Sequence, residues 1–166
     1  GRDRFLEIKE INRLLVECKK SKNPLLFPWT LIMLQTGMRP SEAAALRTEN
    51  IDVKGRKVLL FEGETKNKDA RRIPLTEAAF VQIARLKIKK KPGEYLFFDV
   101  EELPKTYRNV PGHRFRCSYD KAKVRAGLNG VSRHDLRRTA ASHMIMRGVD
   151  IRTIAAVLGH RTLQQA

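Results

Sequence analysis

The sequence predicts a mainly helical α+β fold in which helices surround a small three-stranded antiparallel sheet. Three observations predict it. Apolar residues recur at three- and four-residue spacing on both sides of the middle of the chain, which is the period of an amphipathic helix. Between these segments, residues 51–75 switch to short runs separated by turn residues, the patterning of hairpins. A hydrophobic content of 42% over 166 residues is enough to bury the core of one domain or a tight pair of subdomains.

Phe5, Ile8, Ile11, Leu15 and Cys18 mark the apolar face of a first helix, with Lys19 and Lys20 in its last turn. Residues 29–35 are apolar nearly all round, as a central helix requires, and Gly37 ends that helix. A short helix follows Arg39. Pro40 stands in its first turn, where a missing N–H costs nothing, and Ala43, Ala44 and Leu46 face the core. Residues 51–53, a Lys54-Gly55 turn and residues 57–61 form a hairpin, and residues 71–75 add a third strand. Residues 63–70 between them make a polar, lysine-bearing loop. Thr76 caps a helix reaching about Lys87. The basic run at 87–91 ends at Pro92-Gly93, which reads as a hinge or subdomain boundary. Residues 99–112 are irregular. A helix over 113–126 then carries a basic surface of Arg114, Arg116, Lys121, Lys123 and Arg125. The next, over 134–147, has a Leu136, Ala140, Met144 stripe, and the last, over 151–158, is capped by Asp150 and ended by Gly159.

The charge balance narrows the function. Lys and Arg number 34 against 18 Asp and Glu, a net charge of +16. An excess of that size points to a polyanionic partner, nucleic acid first and an anionic membrane surface second. The longest apolar stretch, 25–34, contains Pro28 and is too short to span a bilayer. Cys18 and Cys117 lie far apart, outside any CxxC pair, which argues against a zinc ribbon or disulfide scaffold and suits the reducing cytoplasm. His113, His134, His143 and His160 lack metal-ligand spacing, and no carboxylate cluster suited to Mg²⁺ is present. Neither a metal nor an organic cofactor is expected.

Four local patterns carry chemistry. In His134-Asp135-Leu136-Arg137 the first and last residues share a helical face, so an imidazole and a guanidinium can converge on one oxyanion. Taken alone, the tetrad also fits an ordinary surface helix of a basic protein. In Thr36-Gly37-Met38-Arg39-Pro40-Ser41-Glu42 an arginine sits at a tight turn before a helix, where Glu42 can orient it or favour the helix start electrostatically. Leu158-Gly159-His160 presents an imidazole after a C-capping glycine. Thr65-Lys66, in the loop before Arg72–Leu75, offers a lysine able to reach into a cleft, although nothing local separates Lys66 from Lys68.

Together, Arg39, Lys66, His134, Arg137 and His160, in the strings TGMRPSE, TK…RRIPL, HDLRRTAASH and LGH, resemble the active-site set of the tyrosine recombinase, or phage integrase, family. The resemblance spans nearly the whole chain. It implies the catalytic domain of a DNA breaking-rejoining enzyme over residues 1–166, without the family's N-terminal core-binding domain. Family members carry a nucleophilic tyrosine roughly nine residues past the LGH histidine, and this sequence ends six residues past His160. The nucleophile is therefore expected shortly after Ala166. Tyr95, Tyr107 and Tyr119 stand in the wrong places for it. Arg138 also occupies a position where many relatives have a second histidine.

The resemblance implies attack by tyrosine on a phosphodiester, a 3′-phosphotyrosyl link and a released 5′-hydroxyl. Arg39 and Arg137 would hold the non-bridging oxygens, with His160 donating a further hydrogen bond. His134 would assist proton removal from the tyrosine, and Lys66 would protonate the leaving oxygen. The implied partner is double-stranded DNA, with a tetramer on DNA for the intact protein and a monomer for the isolated domain. A type IB topoisomerase and a non-catalytic DNA-binding module are the rival readings.

Overall fold

An eleven-residue helix that is apolar on every side can be stable only in the middle of a domain, and α2 (Leu26–Thr36) lies there. The structure, a computed structural model, describes residues 4–61, 70–99 and 114–159. Within them α2 packs against α1 (Ile8–Lys19), α3 (Pro40–Ala44), α4 (Glu77–Ile88) and α6 (Arg133–Met146). Helix α5 (Arg116–Arg125) packs on α1, and α7 (Ile151–Leu158) packs on α6 and the sheet. Trp29 of α2 stacks on Phe115 at 4.4 Å between ring centroids, and its Nε1–H donates to the Pro40 carbonyl at 3.3 Å. One aromatic residue thus ties the central helix to the start of α5 and the start of α3.

The sheet is antiparallel, in the order β1 (Ile51–Asp52), β2 (Lys57–Leu60), β3 (Arg71–Pro74). Its register pairs Val58 with Ile73 and Leu60 with Arg71. Strand alternation turns Val58, Leu60 and Ile73 into the core. Arg71 has the same parity as Ile73, so a charged side chain enters the apolar layer and remains only 6% exposed.

The order of elements and the three-stranded sheet match the sequence expectation, and four details differ. Helix α1 starts at Ile8, so Phe5 precedes it and is exposed, as is Ile8. Leu6 fills the core instead, together with Leu14 and Cys18. Pro92-Gly93 is not a free hinge. Gly93 N–H donates to Thr48 Oγ1, Leu96 N–H to the Leu46 carbonyl, and Lys87 Nζ to the Ile51 carbonyl, while Leu96, Phe97 and Phe98 are buried in the common core. Helix α5 begins at Arg116 rather than 113, and residues 100–113 lie outside the described residues. Finally, α6 is capped by Ser132, whose Oγ accepts from Asp135 N–H at 3.2 Å while Asp135 Oδ2 accepts from Ser132 N–H at 2.7 Å. This reciprocal box fixes the start of the helix that carries His134 and Arg137.

Candidate active site

The C-termini of α2 and α7, the start of α3 and the first two turns of α6 meet at one place. Arg137 joins them. Its Nη1–H donates to the Gly37 carbonyl and its Nη2–H to the Leu158 carbonyl, both at 2.6 Å, so it satisfies the last carbonyls of two helices. Gly37 allows this approach. It sits at φ 72°, and a Cβ on it would lie 2.3 Å from Leu158 Cδ2. Burial, and then the neighbouring Arg39 charge, push the Arg137 guanidinium down to about 10. It remains a cation at neutral pH.

Arg39 is the residue immediately before α3. Its backbone N–H donates to Glu42 Oε1 at 3.0 Å, and its guanidinium Nη1 stands 3.5 Å from Glu42 Oε2. Glu42 therefore caps the start of α3 through the Arg39 backbone and touches the Arg39 guanidinium only at long range. Helix α3 is five residues long and begins with proline, so the positive charge here comes from side chains rather than from the helix end. The stronger partner of Glu42 is Arg71, whose Nη1 and Nη2 donate to Oε2 and Oε1 at 2.9 and 3.0 Å. Burial alone would raise the Glu42 carboxyl, but the Arg71 fork and Arg39 outweigh it and hold it below its usual range.

His134 lies one turn before Arg137 on α6 and is exposed. Partial burial lowers its pKa, and the charges of Arg133, Arg137, Arg138 and Arg39 lower it further. The imidazole is accordingly neutral at neutral pH and able to accept a proton. The structure thus brings three of the five expected residues together: Arg39, His134 and Arg137. Lys66 and His160 lie outside the described residues. Gly159, which precedes His160, is described. It takes φ 76°, and a Cβ on it would fall 2.4 Å from Arg71 Nη1. Two guanidinium groups beside a neutral imidazole suit an oxyanion whose reaction also moves a proton.

Sequence reading missed Arg71, Ser132 and Asp135. The Ser132-x-x-Asp135 spacing was a legible helix-start signal. Arg71 could have been found from its strand parity with Ile73, which turns both side chains inward. Elsewhere, Lys20, Lys22, Arg114, Lys121 and Arg125 line a cavity of about 710 Å³ at the other end of α2 from Arg39. Among the described residues no three His, Cys, Asp or Glu side chains are grouped to hold a metal ion, and no helix is long and apolar enough to cross a membrane. Tyr119 is fully buried and donates toward the Val131 and Ser132 carbonyls at 3.4 Å, and Tyr95 stacks on Phe98. Both are structural residues. Tyr107 lies outside the described residues.

With this geometry in place, comparison with known proteins is decisive: the model of the phage integrase family matches residues 4–166. The chain belongs to the phage integrase family. It is 34% identical over 163 residues to the integrase of Haemophilus phage HP1, covering 96% of this chain and 41% of that protein. It is 34% identical over 134 residues to tyrosine recombinase XerA of Pyrococcus horikoshii, covering 80% of this chain and 45% of that one. The chain therefore spans less than half the length of these curated relatives. The solved catalytic domain of bacteriophage HP1 integrase is similar to it with a TM-score of 0.75 at 32% identity, over 97% of this chain and 83% of that one. The Tn1549 transposon integrase in complex with a circular intermediate DNA has a TM-score of 0.75 at 20% identity, over 99% of this chain and 60% of that one, a likeness of fold alone.

Proposed function

We propose that these residues form the catalytic domain of a site-specific recombinase that cleaves and rejoins duplex DNA through a 3′-phosphotyrosyl intermediate. The observation that carries this reading is the convergence of Arg39, Arg137 and a neutral His134 where α2, α3, α6 and α7 meet. In that arrangement Arg39 and Arg137 bind the non-bridging oxygens and offset charge growing on phosphorus. His134 takes the proton from the attacking tyrosine, Lys66 gives one to the leaving 5′-oxygen, and His160 adds a hydrogen bond to the phosphoryl group. Lys66 and His160 are assigned by their motifs. The nucleophile is assigned to a tyrosine in the native sequence beyond Ala166, because Tyr95 and Tyr119 serve the core and family spacing excludes Tyr107.

Double-stranded DNA is the substrate, on the strength of the +16 charge and the basic cavity beside α5. The DNA complex of the Tn1549 integrase supports the same partner. The protein that carries this domain acts in the cytoplasm and as a tetramer on DNA, and the isolated domain is a monomer. Incubated with its target duplex, the parent protein is expected to form covalent protein–DNA adducts without metal or ATP. Arg39→Ala or Arg137→Ala should each slow adduct formation by on the order of 10²-fold or more, as the loss of an oxyanion donor does. Undiminished adduct formation by both variants would remove the two arginines from the chemistry.

A further inference from the structure

Binding a phosphate with Arg39 and Arg137 does not require a third arginine, yet Arg71 is buried beside them with its side chain only 3% exposed. Its guanidinium reaches Glu42 alone among the described carboxylates, through two parallel bonds of 2.9 and 3.0 Å. Its Nε–H is buried with no hydrogen-bond partner among the described residues, so the carboxylate fork and packing set its position. Part of that packing is Gly159, where even a Cβ would meet the Arg71 side chain at 2.4 Å.

The consequence concerns Arg39. A carboxylate has two oxygens, and Arg71 occupies both, with the Arg39 backbone N–H sharing Oε1 at 3.0 Å. The Arg39 guanidinium is left with one long contact, 3.5 Å to Oε2, and its side chain is 18% exposed, far more than Arg71. A buried carboxylate deprived of its fork would take the nearest cation, because an unpaired buried charge is costly. That cation is Arg39.

We propose that Arg71 is a positioning residue: by saturating Glu42 it keeps the Arg39 guanidinium free to bind an oxyanion, and through Gly159 it holds the turn before His160 to the same clasp. This rests on Arg39 being a phosphate ligand. Arg71 itself touches no substrate.

The test follows the Arg39 Nε–Hε signal by NMR in the labelled 166-residue chain, without and then with inorganic phosphate. In Arg71→Met, Glu42 captures Arg39. Hydrogen exchange of that signal should slow about tenfold even without phosphate, and phosphate affinity read at that signal should fall about tenfold, the scale of one hydrogen bond to a charged group. Arg71→Met/Glu42→Gln should restore both, because the glutamine oxygen still accepts from the Arg39 backbone but carries no charge. A loss of packing alone would not be repaired this way. Should Arg71→Met fail to fold, Arg71→Lys replaces the fork with a single point donor and should move Arg39 in the same direction by less. Unchanged Arg39 exchange in a folded Arg71 variant, or no restoration in the double variant, overturns the proposal. A wild-type Arg39 signal that ignores phosphate counts against the phosphate site itself, while exchange measured without phosphate still decides the role of Arg71.

Discussion

At the scale of single residues, the assignment of Lys66 over Lys68 is open to a sharp chemical test. A lysine with an ordinary pKa of about 10.4 is protonated at neutral pH and ready to donate. If Lys66 is the leaving-group acid, Lys66→Ala in the parent protein should slow cleavage by roughly 10²–10⁴-fold. The defect should nearly vanish when the 5′-bridging oxygen is replaced by sulfur, since a thiolate departs without a proton. Lys68→Ala should show only a mild loss of DNA binding, and sulfur rescue of Lys68→Ala instead would reverse the assignment. His134 gives a pH test. Its pKa is lowered by burial and by four arginines, so the neutral base persists below the usual histidine value of about 6.5. Cleavage should hold its rate as pH falls through 6.5 and decline only below it, and a decline that begins above pH 7 would mean another group is the base. Arg39, His134 and Arg137 were legible because each stands in a short string at a turn or on one helix face. Arg71 was not, since one more arginine in a chain with 34 basic residues draws no notice until strand parity puts it inside.

At the scale of elements, the site depends on how closely two helix ends approach. Gly37 ends α2 in the left-handed region with Leu158 of α7 against it, and Arg137 binds the carbonyl of each. Gly37→Ala should cost about 1–2 kcal/mol from backbone conformation alone. Contact with Leu158 adds to that, and catalysis should fall further than stability because Arg137 loses its seat. Denaturant unfolding alongside single-turnover cleavage checks this, and a full-rate enzyme with normal stability would show that the helix ends need not meet. Capping and periodicity foretold α2, α3, α4, α6 and α7 to within a residue or a few. For α1 they gave the helix and the core positions Ile11, Leu15 and Cys18 but misjudged its start, since Phe5 and Ile8 are exposed. The helix starts only at Ile8, and Leu6 enters the core from the extended segment before it, with its N–H bonded to Thr139 Oγ1 at 3.0 Å. Spacing reports a possible face, whereas tertiary packing decides which residues occupy it.

At the scale of the whole molecule, a +16 chain folds around an apolar α2 and collects arginines from the turn before α3, from β3 and from α6 at one end of that helix. Like charges so close are held by a buried Glu42 and by backbone carbonyls, an arrangement suited to receiving an anion. The Pro92-Gly93 boundary failed at this scale too, because the hydrogen bonds that Lys87, Gly93 and Leu96 donate to Ile51, Thr48 and Leu46 are non-local and leave no trace in composition. Under the proposed function, this end of the molecule positions a DNA phosphate for attack by a tyrosine that follows His160 in the parent protein. The most direct measurement traps the covalent complex of that protein with its target DNA, digests both components and identifies the modified residue by mass spectrometry. The expected result is a 3′-phosphate joined to a tyrosine roughly nine residues past His160. A phosphate carried by Tyr95, Tyr107 or Tyr119, or a link to the 5′ end of the broken strand, would contradict the account.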